Sequence, residues 1–242
     1  MKALLFSLFV STLFLLPALA QREDRADEPV LVVSGNSEVR VAPDLAIVRL
    51  GVTRIASTAQ QAQAEVNQAA QAILESVLRL QVPREAVQTS QLTIQPLYEQ
   101  RQPRPGQEPQ EPREPRIVAY QASNVVTIRL TRLETAGPVI DAALKAGANR
   151  LDGLSFGLQN DREARQRALT EAVREARQKA RTMAEALDVR LVRVVEAIEG
   201  GYVRPMEFAA ERAMMAAGDA GTPVSPGEVS VHANVTLRYR IQ

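Results

Sequence analysis

Cysteine and tryptophan are absent from this chain, and histidine occurs once, as His232. Without cysteine there is no disulfide framework and no thiolate nucleophile, so the fold must rest on a conventional apolar core. One histidine and no cysteine cannot build the usual tetrahedral zinc site, whose ligands come from several such residues. An excess of charge is missing too: 29 Lys and Arg stand against 28 Asp and Glu. A nucleic-acid binder normally carries a basic surplus that neutralises phosphates. Aromatics are few, five Phe and four Tyr, and Phe6, Phe9 and Phe14 lie at the extreme N-terminus, so platforms for stacked bases are scarce. No GxGxxG or GxxxxGK[ST] phosphate loop occurs, and no DxDxDG calcium loop. The expectation is a protein with no cofactor, no metal site and no nucleic-acid partner.

Apolar runs are concentrated at the N-terminus. MKALLFSLFVSTLFLLPALA has one lysine, an apolar stretch from Ala3 to Leu16 and a small-x-small ending at Ala18-Leu19-Ala20. The stretch falls short of the ~20 residues that a spanning helix needs, so residues 1–20 read as a secretory signal peptide cleaved after Ala20. Its removal takes Lys2 with it and leaves basic and acidic residues equal. No cysteine follows the cleavage site, which excludes a lipid-anchored form. No later stretch is apolar enough to span, so the mature chain should lack a transmembrane segment.

Residues 21–29, QREDRADEP, are polar and read as a flexible lead-in. Beyond them the pattern alternates between two periods. VLVVSG and SEVRV are strand-like, and after Ala42-Pro43-Asp44 the run Ala46, Val48, Leu50, Val52 keeps a period of two. Pro43 and Asp44 are turn formers, so the stretch reads as a hairpin with Asp44 in a structural role. From Ser57 to Leu80 the period becomes helical, with Ala62, Val66, Ala69, Ile73, Val77 and Leu80 on one stripe and Ser57 or Thr58 as N-cap. VQTSQLTIQPLYEQ and IVAYQASNVVTIRL are two strands of a long hairpin. Residues 101–116, RQPRPGQEPQEPREPR, hold five prolines and read as an extended insertion at its tip.

A second helix spans Leu133 to Ala146, with Val139, Ile140, Ala143 and Leu144 inward and Gly147 as its stop. RLDGLSFGLQ is a strand. The longest helix runs from Asp161 to Leu187, where Ala164, Ala168, Ala172, Ala176, Ala180 and Ala184 recur at every fourth position. Such small residues let a helix axis approach its neighbour closely. Glu163–Arg167 and Glu175–Lys179 are (i, i+4) pairs on its outer side, each worth tenths of a kcal/mol. Its arginines are interleaved with glutamates and read as a solvated face. VRLVRVVEAIEG is a strand, and residues 200–227 form an excursion holding Met206, Phe208, Met214 and Met215. In the last strand Val229, Val231, Ala233, Val235, Leu237, Tyr239 and Ile241 face a dry side, while Ser230, His232, Asn234, Thr236, Arg238 and Arg240 face a wet one. The order is β-β-α-β-β-α-β-α-β-β: an α+β fold with antiparallel sheet or sheets, helices on one face, and one domain over residues 30–242.

Chemistry finds little purchase in this pattern. Ser230 and His232 point the same way, yet strand geometry sets i and i+2 about 7 Å apart, too far for direct proton transfer. Asp152, Asp161 and Asp188 fall at element boundaries, where capping accounts for them. The expectation is no catalytic residue, no cofactor-binding residue and no metal ligand.

Several segments in order resemble the SIMPL-domain family, which includes the YggE-like periplasmic proteins of bacteria: VSGNSEVRVAPDLAIVRLGV, TSQLTIQPLYE with YQASNVVTIRL, ALKAGANRLDGLSFGL, ALTEAVREARQKARTMAEAL and TPVSPGEVSVHANVTLRYRI. The resemblance runs from about Val30 to Ile241, with the proline-rich loop as an insertion. It implies a periplasmic location, an α+β fold and a link to envelope and oxidative-stress defence. It also implies assembly into larger particles, and it brings no established catalytic residues. At Gly35, Pro43, Asp44, Gly147 and Gly227 the matching motifs demand backbone geometry at turns and helix ends. Three readings follow: a non-enzymatic envelope protein that self-associates and contacts other envelope proteins; a periplasmic small-ligand module with a cleft under the 200–227 excursion; and a hydrolase using carboxylates.

Overall fold

The computed structural model describes residues 28–99, 115–200 and 222–242. The chain runs β1 (Val30–Val41), β2 (Leu45–Ala56), α1 (Ala59–Leu78), β3 (Val87–Tyr98), β4 (Ile117–Leu130), α2 (Ala136–Lys145), β5 (Arg150–Gly157), α3 (Arg162–Ala186), β6 (Leu191–Gly200) and β7 (Val229–Ile241). This is the order expected from the two hydrophobic periods. The strands divide into two antiparallel sheets, β1-β7-β6 and β3-β4-β2-β5. We call them sheet A and sheet B.

The expected hairpin across Pro43 does not form. β1 pairs with β7 over its whole length, Val30 opposite Arg240 and Val41 opposite Val229. β2 instead sits between β4 and β5 in the other sheet. A tight hairpin needs positive φ at its central residues, which Asn-Gly supplies and Pro-Asp does not. The Ala42–Asp44 segment therefore steps from one sheet to the other. It is fixed there by Asp44, whose N–H donates to Gly157 O at 3.1 Å and whose Oδ1 accepts from Gln159 N at 2.6 Å.

Each sheet has its own core. On sheet B, α1 buries the expected stripe Ala62, Val66, Ala69, Ile73 and Val77 against Ala46, Val48, Leu50 and Val52 of β2 and Ile128 of β4. Thr58 is the N-cap and accepts from Gln61 N at 3.2 Å. A short 3-10 turn at Leu133–Thr135 precedes α2, so the helix proper starts later than expected. Leu144, expected inward, is exposed, whereas Val139, Ile140 and Ala143 are buried. Gly147 follows α2 with φ of 112°, the left-handed helix stop that its position suggested.

On sheet A, all six alanines of the α3 ladder are buried. Leu169 and Val173 pack at the margin, while Met183 and Leu187 are exposed. The ladder lies on the odd-numbered residues of β1 and β7: Leu31 and Val33 with Val235, Leu237 and Tyr239. Gly35 is not at a turn, as its motif suggested, but within β1. A Cβ there would stand 2.0 Å from Ala172 O and 2.6 Å from Ala176 N. Glycine and alanine are thus required together, one on each side of the contact, for α3 to lie this close to the strand.

The C-terminal segment ties the halves together. Thr222 donates through N and Oγ1 to the Asp141 carboxylate of α2, at 3.2 and 2.7 Å, and then Val224 packs on the sheet B core. The expected leader, residues 101–114 of the proline-rich insertion, and residues 201–221 with Met206, Phe208, Met214, Met215 and the cleft expected beneath that excursion lie outside the described residues.

Candidate functional site

The single histidine belongs to a polar ladder on the face of sheet A opposite α3. Strand register sets the even residues of β1 against those of β7: Ser34 with Thr236, Asn36 with Asn234, Glu38 with His232, and Arg40 with Ser230. Ser34 and Thr236 share a hydroxyl hydrogen bond of 3.0 Å, and Asn234 Nδ2 donates to Asn36 Oδ1 at 2.7 Å. Ser230 Oγ donates to Glu38 Oε1 at 2.7 Å, and Arg40 Nε reaches the same oxygen at 3.1 Å.

These contacts hold the Glu38 carboxyl below its ordinary range, chiefly through Ser230 and then Arg40. Ser230 keeps the face expected of it, but it is fully buried, not wet. Its hydroxyl serves a carboxylate that the sequence pattern did not single out. His232 Nε2 is enclosed and has no hydrogen-bond partner. The serine proton is therefore directed to Glu38 and not to the imidazole, which leaves no serine–histidine couple of the kind nucleophilic catalysis uses.

The acids that the sequence singled out sit in different local settings. Asp44 holds the sheet crossover. Asp152 is not a cap but lies within β5, bonded to Arg150 at 2.8 Å. Asp161 occupies the N-cap of α3, yet its side chain makes no capping bond and pairs with Arg165 at 2.6 Å. That pair stands where Glu163–Arg167 was expected, which is not among the described ion pairs. Asp188 follows α3 with φ of 53°, so its part in ending the helix is played by its backbone. Arg174, Arg177 and Arg181 are exposed on α3, as a solvated face requires. Among the described residues no group of three or more His, Cys, Asp or Glu could hold a metal ion.

Two other features stand out. Where the sheets meet, a cavity of about 490 Å³ is lined by Leu45, Ile47, Phe156 and Val231, with Arg129 and Asp161 at its polar side. The second feature is the sheet edges. β6 is the outer strand of sheet A, and Val192, Val194, Val195 and Ile198 are all exposed on it. β3, the outer strand of sheet B, exposes Leu92, Ile94 and Tyr98, and Ile117 and Val118 of β4 are exposed beside it. The period-two pattern marked these residues as strand-forming but gave no sign that their side chains would stand exposed.

No described helix is long and apolar enough to cross a membrane. Over 95% of its length the chain is 32% identical to the 26 kDa periplasmic immunogenic protein of Brucella melitensis, covering 92% of that protein. The same protein name and identity recur in Brucella abortus. The uncharacterized protein YggE of Escherichia coli is 25% identical over 66% of this chain and 62% of its own length. The SIMPL family model, described as a protein of unknown function (DUF541), matches residues 31–239. With two α-helix-on-sheet layers, the motifs in their expected order and a family match across nearly all of the described fold, this chain belongs to the SIMPL family.

Proposed function

We propose that this is an exported, non-enzymatic protein of the bacterial periplasm that acts through self-association and contact with other envelope proteins. One observation carries the reading: apolar side chains stand exposed on outer strands β6 and β3. An uncovered strand presents a row of unpaired backbone groups, and apolar residues beside it favour burial against another chain. The structural bonds made by Asp44, Asp152 and Asp161 and the engagement of Ser230 with Glu38 support the absence of bond-breaking chemistry. Similarity to a relative named periplasmic supports the location, together with an N-terminus that reads as a leader with its cleavage site after Ala20. Light scattering on residues 21–242 tests the association: a multimer is expected, and a strict monomer at high concentration would sink the reading.

Family membership is the support for a part in envelope and oxidative-stress defence. A strain lacking the gene should be more sensitive to peroxide than its parent, and equal survival would remove that role. The cavity at the sheet junction favours a second reading, a small-ligand module, because its size and mixed lining fall within the range of ligand sites. A thermal-shift screen should then raise the melting temperature with a compound that binds the folded form only. Loss of that shift on replacing Arg129 would place the ligand there.

A further inference from the structure

The two edges of sheet A are not alike. β6 is exposed along its length, but β1 has α3 side chains seated on its free edge. The Asn36 N–H donates to the Glu175 carboxylate, and Lys179 Nζ donates to Ser34 O at 3.2 Å. Glu175 and Lys179 are themselves joined at 2.8 Å. The two satisfied backbone groups flank Gly35, where α3 passes so near the strand that a Cβ would clash with the Ala172 carbonyl. A neighbouring parallel strand would offer these groups one C=O and one N–H from a single residue. The carboxylate and the ammonium supply the same acceptor and donor, in the same order.

A groove of about 520 Å³ runs beside this edge, lined by Val32, Met183 and Thr182 together with the ion pair. Val32 and Met183 are 48% and 42% exposed. An extended strand could use such a combination, a backbone edge with apolar flanks, for recognition. The pair occupies the position that the strand's backbone would take.

We propose that Glu175 and Lys179 act as a strand mimic that closes β1 to a strand from a second copy and confines pairing by sheet A to β6. This inference specifies where the self-association proposed above cannot occur, and it rests on that reading only for its biological consequence. Light scattering should compare the wild type, E175A/K179A and the charge-swapped E175K/K179E at one concentration. Far-UV circular dichroism would confirm equal helix content. The swap keeps an ion pair on α3 but sets an ammonium against an N–H and a carboxylate against a C=O, so a pair that served only the helix would leave the particle unchanged. Both variants should show at least a twofold higher mass than the wild type, and both should bind a labelled peptide of residues 30–41 at least tenfold more tightly. Wild-type mass and wild-type peptide binding in a folded variant would overturn the proposal. A monomeric wild type would remove the self-association reading, yet this test would stand, because it reads the difference between wild type and variants.

Discussion

Gly35 illustrates how one residue can hold a layer in place. It lies in β1 with ordinary extended geometry, so its lack of a side chain matters for space and not for backbone freedom. G35A would push a methyl group into the Ala172 carbonyl and force α3 away from the ladder it covers. Overpacking of this kind typically costs about 1–3 kcal/mol. The midpoint of urea unfolding should fall accordingly, and an unchanged midpoint would show that the helix shifts without cost. Asp141 offers a pH test. The two bonds from Thr222 lower its pKa in the folded state. A lowered folded value means that the unfolded chain takes up the proton first as pH falls. Its stabilising contribution is complete above the unfolded value of ~3.9 and disappears as pH drops through the folded one. D141N should therefore be less stable than the wild type at neutral pH, and the gap should close in acid. A gap that stayed constant down to pH 2 would contradict the linkage.

The elements were legible where a short-range period decides the structure. The alanine ladder of α3, the stripe of α1 and the dry side of β7 could all be read because 3.6- and 2-residue repeats are local properties of the chain. Partners were not legible. Nothing in VAPDL states that β1 will leave β2 and join β7, whose register is set by contacts about two hundred residues away in sequence. In the same way, Glu175–Lys179 looked like one more surface helix pair of small worth, and only the approach of α3 to β1 turned it toward Ser34 and Asn36. The exposed apolar residues of β6 belong to this scale as well. I198K should reduce particle mass in solution and leave the melting temperature nearly unchanged, since Ile198 is 50% exposed and is not a member of either sheet's core. Unaltered mass would take β6 out of the association surface.

At the scale of the whole molecule, three devices among the described residues join the two helix-on-sheet layers and their separate cores. These are the Ala42–Asp44 crossover, the Asp44–Gln159 bonds and the docking of Thr222 and Val224 on α2 and its core. We propose that residues 30–242 unfold as one unit, because β1 and β2 are adjacent in the chain yet lie in different sheets, so neither sheet can open without loosening the other. Calorimetry should show a single transition whose calorimetric and van't Hoff enthalpies agree. Two resolved transitions would mean that the layers are independent domains.

The sequence alone determined the strand and helix order, the buried stripes of α1, α3 and β7, and the scarcity of cysteine and histidine, because periodicity and residue inventory need no knowledge of distant contacts. Tertiary structure alone decided which strands pair, that Ser230 is buried against Glu38, and which sheet edges are open. Those outcomes depend on register and close approach between segments far apart in the chain, and no local pattern encodes them.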